Sequence, residues 1–579
     1  MGDILKNKSK LIPLYTKSGE NFNINNWDEY PRPRVKRDSF ICLNGEWDFA
    51  TNKTGHIPQS FTEKITVPFC PQSLLSGINR PIADKYYLIY KREFSLPASF
   101  NKGRVLLHFG AVDQMAVVYL NGKEVGRHEG GYDPFHFDIT KYLSAQNTLV
   151  VIAKDELNSA RLPYGKQKHK RGGMWYTPVS GIWQTVWLES VPEEYITDVE
   201  IIGDDKAVDI WSLGMSEGIL TLHTPEGDKQ FKIKDAYAEI KLENPLLWTP
   251  EEPNIYRFTI EAGEDRVESY LAFRKIESKV IDGVPRLCLN GKPYFFHGLL
   301  DQGYFPDGIF TPASPEEYKN DILTMKELGF NMLRKHIKLE PQLFYYYCDI
   351  YGMAVFQDFV NNGKYSFLRD TALPTVGMKK LNDKRLHKNR NTREAFRKGG
   401  FRALETLTSH PCIVYWTIFN EGWGQYNSDN LYNYFKNLNQ DRIFDTASGW
   451  FKGSKSDVES EHVYFKKITL PKSDKPIVLS EFGGYSYKPE GHVMNPRNTY
   501  GYRFFKTQTE FMDALEKLYS GEVIPLVEKG LCAAVYTQVS DVEDETNGLL
   551  SYDRKVLKVD KERMQKIAKQ LYEKIKGTD

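Results

Sequence analysis

Residues 413–423 read IVYWTIFNEGW, and this stretch decides the fold. The run is short, β-branched and aromatic, and a glycine ends it, which is typical of a parallel strand buried on both faces. A second run of this kind, PIVLSEFGG at 476–484, also carries a glutamate with glycines just after it. A carboxylate at the C-terminal end of a buried strand lies where an α/β barrel builds its active site. The two runs therefore predict a barrel whose mouth holds Glu421 and Glu481.

Strand-like runs alternate with helical ones from about residue 278 onward. Eight strand candidates occur in this part of the chain, the number that a (β/α)8 barrel requires. They are residues 294–300, 330–334, 353–357, 414–419, 442–446, 462–465, 477–480 and 533–538. Residues 315–328 read as a helix, because Ser314 can cap its first turn and Gly329 ends it. Residues 561–576 read as an amphipathic C-terminal helix.

The first part of the chain looks all-β. Asn121 and Gly122 stand between two strand-like runs, and this pair is a strong signal for a two-residue hairpin turn. Strands at this spacing predict a sandwich or jelly roll, and a later group of short strands suits a smaller immunoglobulin-like sandwich. The predicted architecture is multidomain: an N-terminal β jelly roll at residues 1–192, an immunoglobulin-like β-sandwich at 193–277, and a C-terminal (β/α)8 TIM barrel at 278–579.

Composition excludes several classes of partner. The 579 residues carry 77 basic and 76 acidic side chains, a net charge of +1 without a basic block, so we expect neither nucleic acid nor a membrane surface as partner. No apolar run is long enough to span a bilayer, and the N-terminal residues lack the apolar stretch of a signal peptide, which favours a cytoplasmic location. The six cysteines are scattered without CxxC spacing, which predicts neither a zinc site nor a disulfide framework. A homo-oligomer is left open.

Two strand-end carboxylates are the groups that glycoside hydrolysis uses. Hydrolysis with retention requires the two carboxyl groups to lie about 5–5.5 Å apart, one of them protonated and the other ionised. We assign Glu421 as the general acid/base and Glu481 as the nucleophile. Asn420, directly before Glu421, offers an amide that can hydrogen-bond the sugar 2-hydroxyl. The alternative is that either glutamate only stabilises a helix dipole at a first helical position.

Motifs spread along the chain support this interpretation. They are YPRP at 30–33, LNGEWDF at 43–49, VVYLNGKEVG at 117–126, GGYDPF at 130–135, LWTP at 247–250, PNIY at 253–256 and FRKI at 273–276. In this order, and with NE at 420–421 and EFG at 481–483, they resemble glycoside hydrolase family two, the family of the β-galactosidases, β-glucuronidases and β-mannosidases. The resemblance covers nearly the whole chain. It implies a retaining exo-β-glycosidase that acts on a carbohydrate β-glycoside. The galactoside-binding metal ligands of the family cannot be traced in this sequence, so we predict no obligatory metal and no other cofactor.

The resemblance and the strand ends also mark candidate substrate-binding residues. They are Asp301, Gln302, His336, Asp358, Asn420, His462, Tyr464 and Tyr536. Tyr464 is the candidate to hydrogen-bond Glu481 and keep it ionised, and Tyr536 stands where relatives often have a tryptophan as sugar platform. The alternatives are a surface position for His336, core-facing positions for His462 and Tyr464, and a helix-capping role for the aspartates.

Departures from the family pattern bear on the sugar. β-Glucuronidases carry Asn-x-Lys after strand eight to bind the sugar carboxylate, whereas 546–550 reads TNGLL here. A carboxylate without a cation would be poorly bound, which disfavours β-glucuronidase activity, although Arg554 or Lys555 could substitute. The resemblance puts Trp175 on a jelly-roll loop that reaches the barrel mouth, with a place in the sandwich core as the alternative. That loop has glycines where β-galactosidases usually have an acidic residue. Galactose is the leading sugar, and β-glucuronide, β-glucoside, β-mannoside and α-L-arabinofuranoside stay open.

Two other functions also fit the sequence. A catalytically inactive carbohydrate-binding protein on the same barrel is the alternative from a different class, and the presence of both glutamates favours the enzyme. A transglycosylase would differ only in how well its acceptor site excludes water.

Overall fold

The N-terminal part of the chain is a sandwich of two β-sheets. The computed structural model describes residues 11–378 and 381–576. After one helical turn, α1 (Lys17–Glu20), the strands are β1 (Phe40–Cys42), β2 (Gly45–Asn52), β3 (Glu63–Val67), β4 (Tyr87–Phe94), β5 (Arg104–Phe109), β6 (Val112–Asp113), β7 (Met115–Leu120), β8 (Lys123–Glu129), β9 (Phe135–Asp138), β10 (Asn147–Lys154), β11 (Gly181–Ile182) and β12 (Val186–Val191). A four-stranded sheet, β1-β12-β5-β9, packs on a six-stranded sheet, β3-β2-β4-β10-β7-β8. Trp47, Leu107 and Val151 belong to the apolar core between them.

The predicted Asn121-Gly122 hairpin joins β7 to β8. Both residues have positive φ angles, 51° and 78°, as a type I′ turn requires. Leu120 pairs with Lys123 across the turn. The hairpin prediction is confirmed.

A smaller β-sandwich follows. Its strands are β13 (Asp198–Gly203), β14 (Ala207–Leu213), β15 (Gly218–Thr224), β16 (Gly227–Ile233), β17 (Tyr237–Lys241), β18 (Tyr256–Ala262) and β19 (Asp265–Leu271). The sheets β13-β14-β17 and β16-β15-β18-β19 share a core that includes Val208, Leu220 and Phe258. Three antiparallel strands, β20 (Ile276–Ile281), β21 (Val284–Leu289) and β22 (Lys292–Pro293), lead into the next part of the chain.

The C-terminal part is a parallel barrel. Its eight strands are β23 (Phe296–Asp301), β24 (Met332–Lys335), β25 (Ala354–Asp358), β26 (Ile413–Asn420), β27 (Ile443–Ser448), β28 (Glu459–Val463), β29 (Ile477–Gly483) and β32 (Leu531–Thr537). Between β29 and β32, β30 (Tyr485–Tyr487) and β31 (Arg503–Phe505) form a separate small parallel pair. The eight barrel strands follow the order β27-β26-β25-β24-β23-β32-β29-β28, and the two end strands contact each other, so that the ring nearly closes. The predicted fold class of jelly roll, immunoglobulin-like sandwich and TIM barrel is confirmed.

Helices follow most barrel strands. They are α2 (Glu316–Glu327), α3 (Gln342–Tyr351), α4 (Leu373–Thr375), α5 (Arg390–Leu407), α6 (Ser428–Leu438), α7 (Gln508–Leu518), α8 (Ile524–Val527) and α9 (Lys561–Lys576). The hydroxyl of Ser314 accepts from the N–H of Glu316 at 3.2 Å at the start of α2. Both helices predicted from sequence are present. In the described part of the chain, no helix combines the length and the apolar character needed to cross a bilayer.

The prediction for the sixth barrel strand, 462–465, was wrong in its bounds. The strand begins earlier, at Glu459, and ends at Val463. Its first half is polar because the side chains of Glu459 and Glu461 pair with Lys452 outside the barrel, so that the apolar pattern of a buried strand is missing there.

One loop of the jelly roll crosses the barrel mouth. We call residues 163–177 the strap. The N–H of Tyr164 donates to the carbonyl of Asn361, just after β25, at 2.9 Å, and the N–H of Thr177 donates to Oε1 of Glu543, just after β32, at 2.8 Å. The strap therefore lies over the C-terminal ends of the strands, the face on which barrel enzymes carry their sites.

Candidate active site

Glu421 follows the last residue of β26 in a turned backbone. Its φ angle is 51°, in the left-handed region that non-glycine residues seldom adopt. Its N–H donates to the carbonyl of Ser448 at 3.1 Å, and its carbonyl accepts from Nε1 of Trp450 at 3.1 Å. These two bonds hold the turn, and the carboxyl group reaches His462 at the end of β28.

Glu481 lies inside β29, where the pairing with β32 shifts register between Leu479 and Phe482. A carboxylate oxygen of Glu421 and one of Glu481 lie within 4.8 Å of each other. The Glu421 side chain is 13% exposed and that of Glu481 is 6% exposed. The structure therefore brings the two predicted carboxylates together in a nearly buried site, at about the spacing that retaining glycosidases use.

His462 stands between the two carboxylates. Its Nδ1 lies 2.9 Å from Oε1 of Glu421 and 3.7 Å from Oε2 of Glu481. Its Nε2 lies 2.9 Å from Oγ of Ser448, and that hydroxyl donates to Oγ of Ser480, which in turn donates to a backbone carbonyl. Because each hydroxyl has one proton to donate, Ser448 accepts from Nε2 of His462. Nδ1 of His462 is the ring nitrogen that hydrogen-bonds Glu421.

Glu481 accepts from two strong donors. Nη1 of Arg334 donates to Oε1 of Glu481 at 3.1 Å, and the hydroxyl of Tyr464 donates to Oε2. Arg334 also donates to the carboxylate of Asp358, from Nε at 3.0 Å and from Nη2 at 3.1 Å. Its Nη2 donates in addition to Oδ1 of Asn420 at 2.9 Å. One guanidinium thus fixes the nucleophile candidate and two of the predicted substrate-binding residues.

The environment drives the pKa values of the two glutamates apart. Burial raises the pKa of Glu421, and the charge of Glu481 adds to this, against the opposing hydrogen bond from His462. Burial alone would also raise the pKa of Glu481, but His462, Arg334 and the Tyr464 hydroxyl outweigh it and hold that pKa well below its ordinary value. Opposite shifts in a close carboxyl pair favour the protonated form of Glu421 and the ionised form of Glu481.

His336 is a neutral hydrogen-bonding group beside this pair. Its Nδ1 lies 2.9 Å from Oδ2 of Asp358, and burial lowers its pKa to about 4. Because Nδ1 donates to the carboxylate, Nε2 of the neutral ring is an acceptor. The ring is buried, so the surface position considered for His336 does not occur.

Three predicted residues are engaged elsewhere. The Asp301 carboxylate accepts from Nζ of Lys335 at 2.6 Å, and the Gln302 amide donates to Gln538 at 2.8 Å. Tyr536 is fully buried and accepts from the N–H of Tyr485 at 3.2 Å.

The prediction of Tyr536 as sugar platform is corrected by the strand geometry. Successive side chains of a strand point to opposite faces. The next residue, Thr537, lies 3.2 Å from the Tyr464 hydroxyl, so Thr537 faces the carboxylates and Tyr536 faces away. The Tyr536 ring packs instead on Phe482.

Sequence reasoning assigned no role to two cations of this site. Arg334 carried a signal, since it is a charged residue near the end of a buried strand, two positions before His336. Lys166 carried none, because it comes from the strap, far away in sequence. Trp175, also on the strap, stacks on Trp423 with ring centroids 4.9 Å apart, which puts it at the barrel mouth rather than in the sandwich core.

Glu421, His462 and Glu481 are also the described residues whose ligand atoms are close enough to hold a metal ion together. Nδ1 of His462 is bound to Glu421, and Oε1 and Oε2 of Glu481 accept from Arg334 and Tyr464. These contacts use the same atoms that a metal would need. The arrangement therefore suits acid–base chemistry by Glu421 and Glu481 better than metal binding.

Family models match three consecutive parts of the chain. The model of the glycosyl hydrolases family 2 sugar binding domain matches residues 75–192, a second family 2 model matches 190–274, and the family 2 TIM barrel domain matches 281–576. The fold and the carboxylate pair define a carbohydrate-active barrel protein. The chain belongs to glycosyl hydrolase family 2, a family of glycosidases.

Curated relatives are distant and longer. A β-galactosidase of Thermoanaerobacter pseudethanolicus is 24% identical over 441 residues, 70% of this chain and 54% of the relative. A putative β-glucuronidase of Formosa agariphila is 24% identical over 465 residues, 70% of this chain and 51% of the relative. The chain spans about half the length of the curated relatives it matches.

Solved structures share the fold over nearly the whole chain. A β-glucuronidase of an uncultured Clostridium sp. superposes with a TM-score of 0.72 at 18% identity and covers 93% of this chain and 99% of its own. A family 2 β-galacturonidase of Eisenbergiella tayi bound to galacturonate gives a TM-score of 0.65 at 18% identity, with 93% and 99% covered.

Proposed function

We propose that this protein is a retaining exo-β-glycosidase that removes a terminal β-linked sugar by double displacement. The observation that carries the proposal is the spacing of the carboxylates: oxygens of Glu421 and Glu481 lie within 4.8 Å of each other. That spacing suits direct attack by a carboxylate and leaves no room for the water that an inverting enzyme holds between its two groups.

The first step forms a glycosyl ester. A carboxylate oxygen of Glu481 attacks the anomeric carbon while the bond from that carbon to the glycosidic oxygen breaks, and protonated Glu421 gives its proton to the leaving oxygen. In the second step Glu421, now ionised, takes a proton from water, the water oxygen attacks the anomeric carbon, and Glu481 leaves as carboxylate. The raised pKa of Glu421 and the lowered pKa of Glu481 support this division of roles.

The neighbouring polar groups suit the binding of sugar hydroxyls. Oδ1 of Asn420 accepts from Arg334, so its Nδ2 is the atom left to donate. Nε2 of His336 is an acceptor on the same side. We propose these two residues as hydroxyl contacts and Asp358 as the group that orients His336 and Arg334.

The identity of the sugar is a finer proposal. Family resemblance favours a β-galactoside, with β-glucuronide, β-glucoside, β-mannoside and α-L-arabinofuranoside as the alternatives. Relatives named as β-galactosidase and β-glucuronidase match at equal identity, so their names do not choose between a neutral and an acidic sugar.

The test is the stereochemistry of hydrolysis. Proton NMR during cleavage of the best aryl β-glycoside from a panel of six sugars should show the β-anomer of the free sugar before mutarotation. First release of the α-anomer would contradict the proposal. Equal background rates for wild type and Glu481→Gln on every sugar would favour the inactive binding protein instead.

A further inference from the structure

Lys166 is a buried cation without an acidic partner. Its residue exposure is 8%. Within residues 11–378 and 381–576, no carboxylate oxygen lies within 4.0 Å of its ammonium, which makes no hydrogen bond there either. Its contact is the ring of Tyr176, 5.5 Å from Nζ to the centroid. Nζ itself keeps some accessible surface, so the ammonium is unpaired and open to an incoming anion.

Three other cations near the barrel mouth are neutralised by carboxylates. They are Arg334 with Glu481 at 3.1 Å, Lys335 with Asp301 at 2.6 Å, and Arg171 with Glu543 at 3.1 Å. None of these can offer a free positive charge to an incoming anion. Lys166 differs from these three. Lys168, an exposed residue of the strap, also has no carboxylate within 4.0 Å in the described part of the chain, but its ammonium lies over the ring of Trp175, 4.1 Å from Nζ to the centroid.

Arg554 and Lys555, the two residues that the sequence offered as binders of a sugar carboxylate, are also neutralised. Arg554 pairs with Asp321 at 3.4 Å, and Lys555 pairs with Glu20. Asn547, in the stretch where the family motif would fall, accepts from the Gln538 amide at 2.8 Å. This region therefore supplies no free cation.

The strap holds Lys166 close to the reaction centre. The carbonyl of Lys166 accepts from the N–H of Tyr176 at 3.0 Å. A Cβ on Gly165, the residue before it, would lie 2.7 Å from the carbonyl of Ile337, next to His336. Burial raises the pKa values of Glu421 and Glu545 and lowers that of His336; the charge of Lys166 opposes the first two shifts and adds to the third. The ammonium therefore lies within electrostatic reach of the acid/base candidate.

Glu545 is the acid that could compete for this charge. The hydroxyl of Tyr176 donates to its Oε2, and it lies beyond ion-pair distance of Lys166. Glu545 therefore leaves the ammonium available to a closer anion.

We propose that Lys166 binds the carboxylate of a sugar acid, so that the enzyme acts on β-linked uronides. This inference rests on the proposed function, because it names the substrate class of the same site. A substrate carboxylate would pair with the Lys166 ammonium, for which the described part of the protein provides no counter-charge. A neutral hexose would leave the ammonium unpaired. Recognition would come from the jelly-roll strap instead of the loop after the eighth strand.

The test uses binding and turnover in wild type, Lys166→Gln and Lys170→Gln. Lys170 is an exposed strap lysine, so the control removes the same charge from the same loop. Thermal unfolding is followed with D-glucuronate, D-galacturonate, D-glucose and D-galactose at equal ionic strength. Hydrolysis is followed with the 4-nitrophenyl β-glycosides of the same four sugars.

We expect a uronate to raise the unfolding temperature of wild type and Lys170→Gln but not of Lys166→Gln, and neither neutral sugar to raise it. We expect Lys166→Gln to lower kcat/KM on the preferred uronide by a factor about 30-fold or more greater than the factor by which it lowers kcat/KM on neutral glycosides. Equal losses on both classes, or unchanged uronate binding by Lys166→Gln, would overturn the inference.

The wild-type results alone remain decisive if Lys166→Gln does not fold. A wild type that cleaves a neutral β-glycoside but neither binds nor cleaves a uronide would overturn the inference and leave the proposed function intact. A wild type that binds a uronate yet hydrolyses no glycoside would overturn the proposed function and support the carboxylate site. A wild type that responds to no uronate in either assay would overturn the inference.

Discussion

Nδ1 of His462 lies 2.9 Å from Oε1 of Glu421. On the other side of the ring, Nε2 lies 2.9 Å from the hydroxyl of Ser448. Nδ1 is also 3.7 Å from Oε2 of Glu481. The imidazole therefore lies between the acid/base candidate and the nucleophile candidate.

Glu421→Gln should lower kcat/KM far more for substrates with poor leaving groups than for substrates with good ones. The variant cannot give a proton to the departing oxygen, so kcat/KM should fall about 10³-fold or more for a methyl glycoside and much less for a 2,4-dinitrophenyl glycoside. Steady-state kinetics on the two substrates checks this. An equal loss on both would show that Glu421 is not the acid.

The pH profile should report the two glutamates. Glu421 must be protonated in the first step, so kcat/KM should fall as pH rises through the pKa of Glu421. Because that pKa is raised, the fall should come at a higher pH than for an ordinary glutamate. Glu481 must be ionised, and its lowered pKa keeps it so in mildly acidic solution. With an activated substrate, Glu421→Gln should lose the alkaline limb of kcat/KM. Persistence of that limb would assign it to another group.

Arg334→Met should weaken the nucleophile. Removing the guanidinium raises the pKa of Glu481, so the acid limb of kcat/KM should move to higher pH and the maximum should fall about 100-fold or more. The control is Arg397→Met, which removes an arginine paired with Glu394 on the surface of α5. A variant with lower activity but an unmoved acid limb would contradict a role for Arg334 in ionising Glu481.

Tyr464→Phe should test the second donor to Glu481. Loss of the hydroxyl removes one charge-assisted hydrogen bond, and kcat/KM should fall about 10- to 100-fold without a change in secondary structure. Tyr237→Phe is the matched control, because Tyr237 also donates to a carboxylate, Asp209, at 2.7 Å, in the small sandwich. Equal activity of Tyr464→Phe and wild type would remove Tyr464 from the site.

The sequence predicts those parts of the fold that periodicity and local stop signals govern. Strands β26 and β29 are buried on both faces and read as mostly apolar runs, and α9 has the bounds predicted for it. The first residues of β28 were not predicted as strand, because Glu459 and Glu461 make that stretch polar. In the structure both glutamates pair with Lys452. The domain boundaries at residues 192 and 277 remain predictions.

The candidate site was predictable only in part. Strand-end position pointed to Glu421, Glu481 and His336, and a place on the predicted sixth strand pointed to His462. Side-chain direction within a strand depends on register, which one sequence does not contain, and this explains the misplacement of Tyr536. A contact between parts far apart in sequence, such as Lys166 on the strap near the barrel carboxylates, has no local signal.

The central claim is that Glu481 forms a covalent bond with the sugar. Incubation with the 2-deoxy-2-fluoro β-glycosyl fluoride of the best substrate sugar should trap that ester, because the fluorine slows its hydrolysis. Mass spectrometry of the digested protein should then find the sugar on the peptide that contains Glu481, and no adduct in Glu481→Gln. An adduct on a different residue, or turnover with inversion and no adduct, would contradict the account.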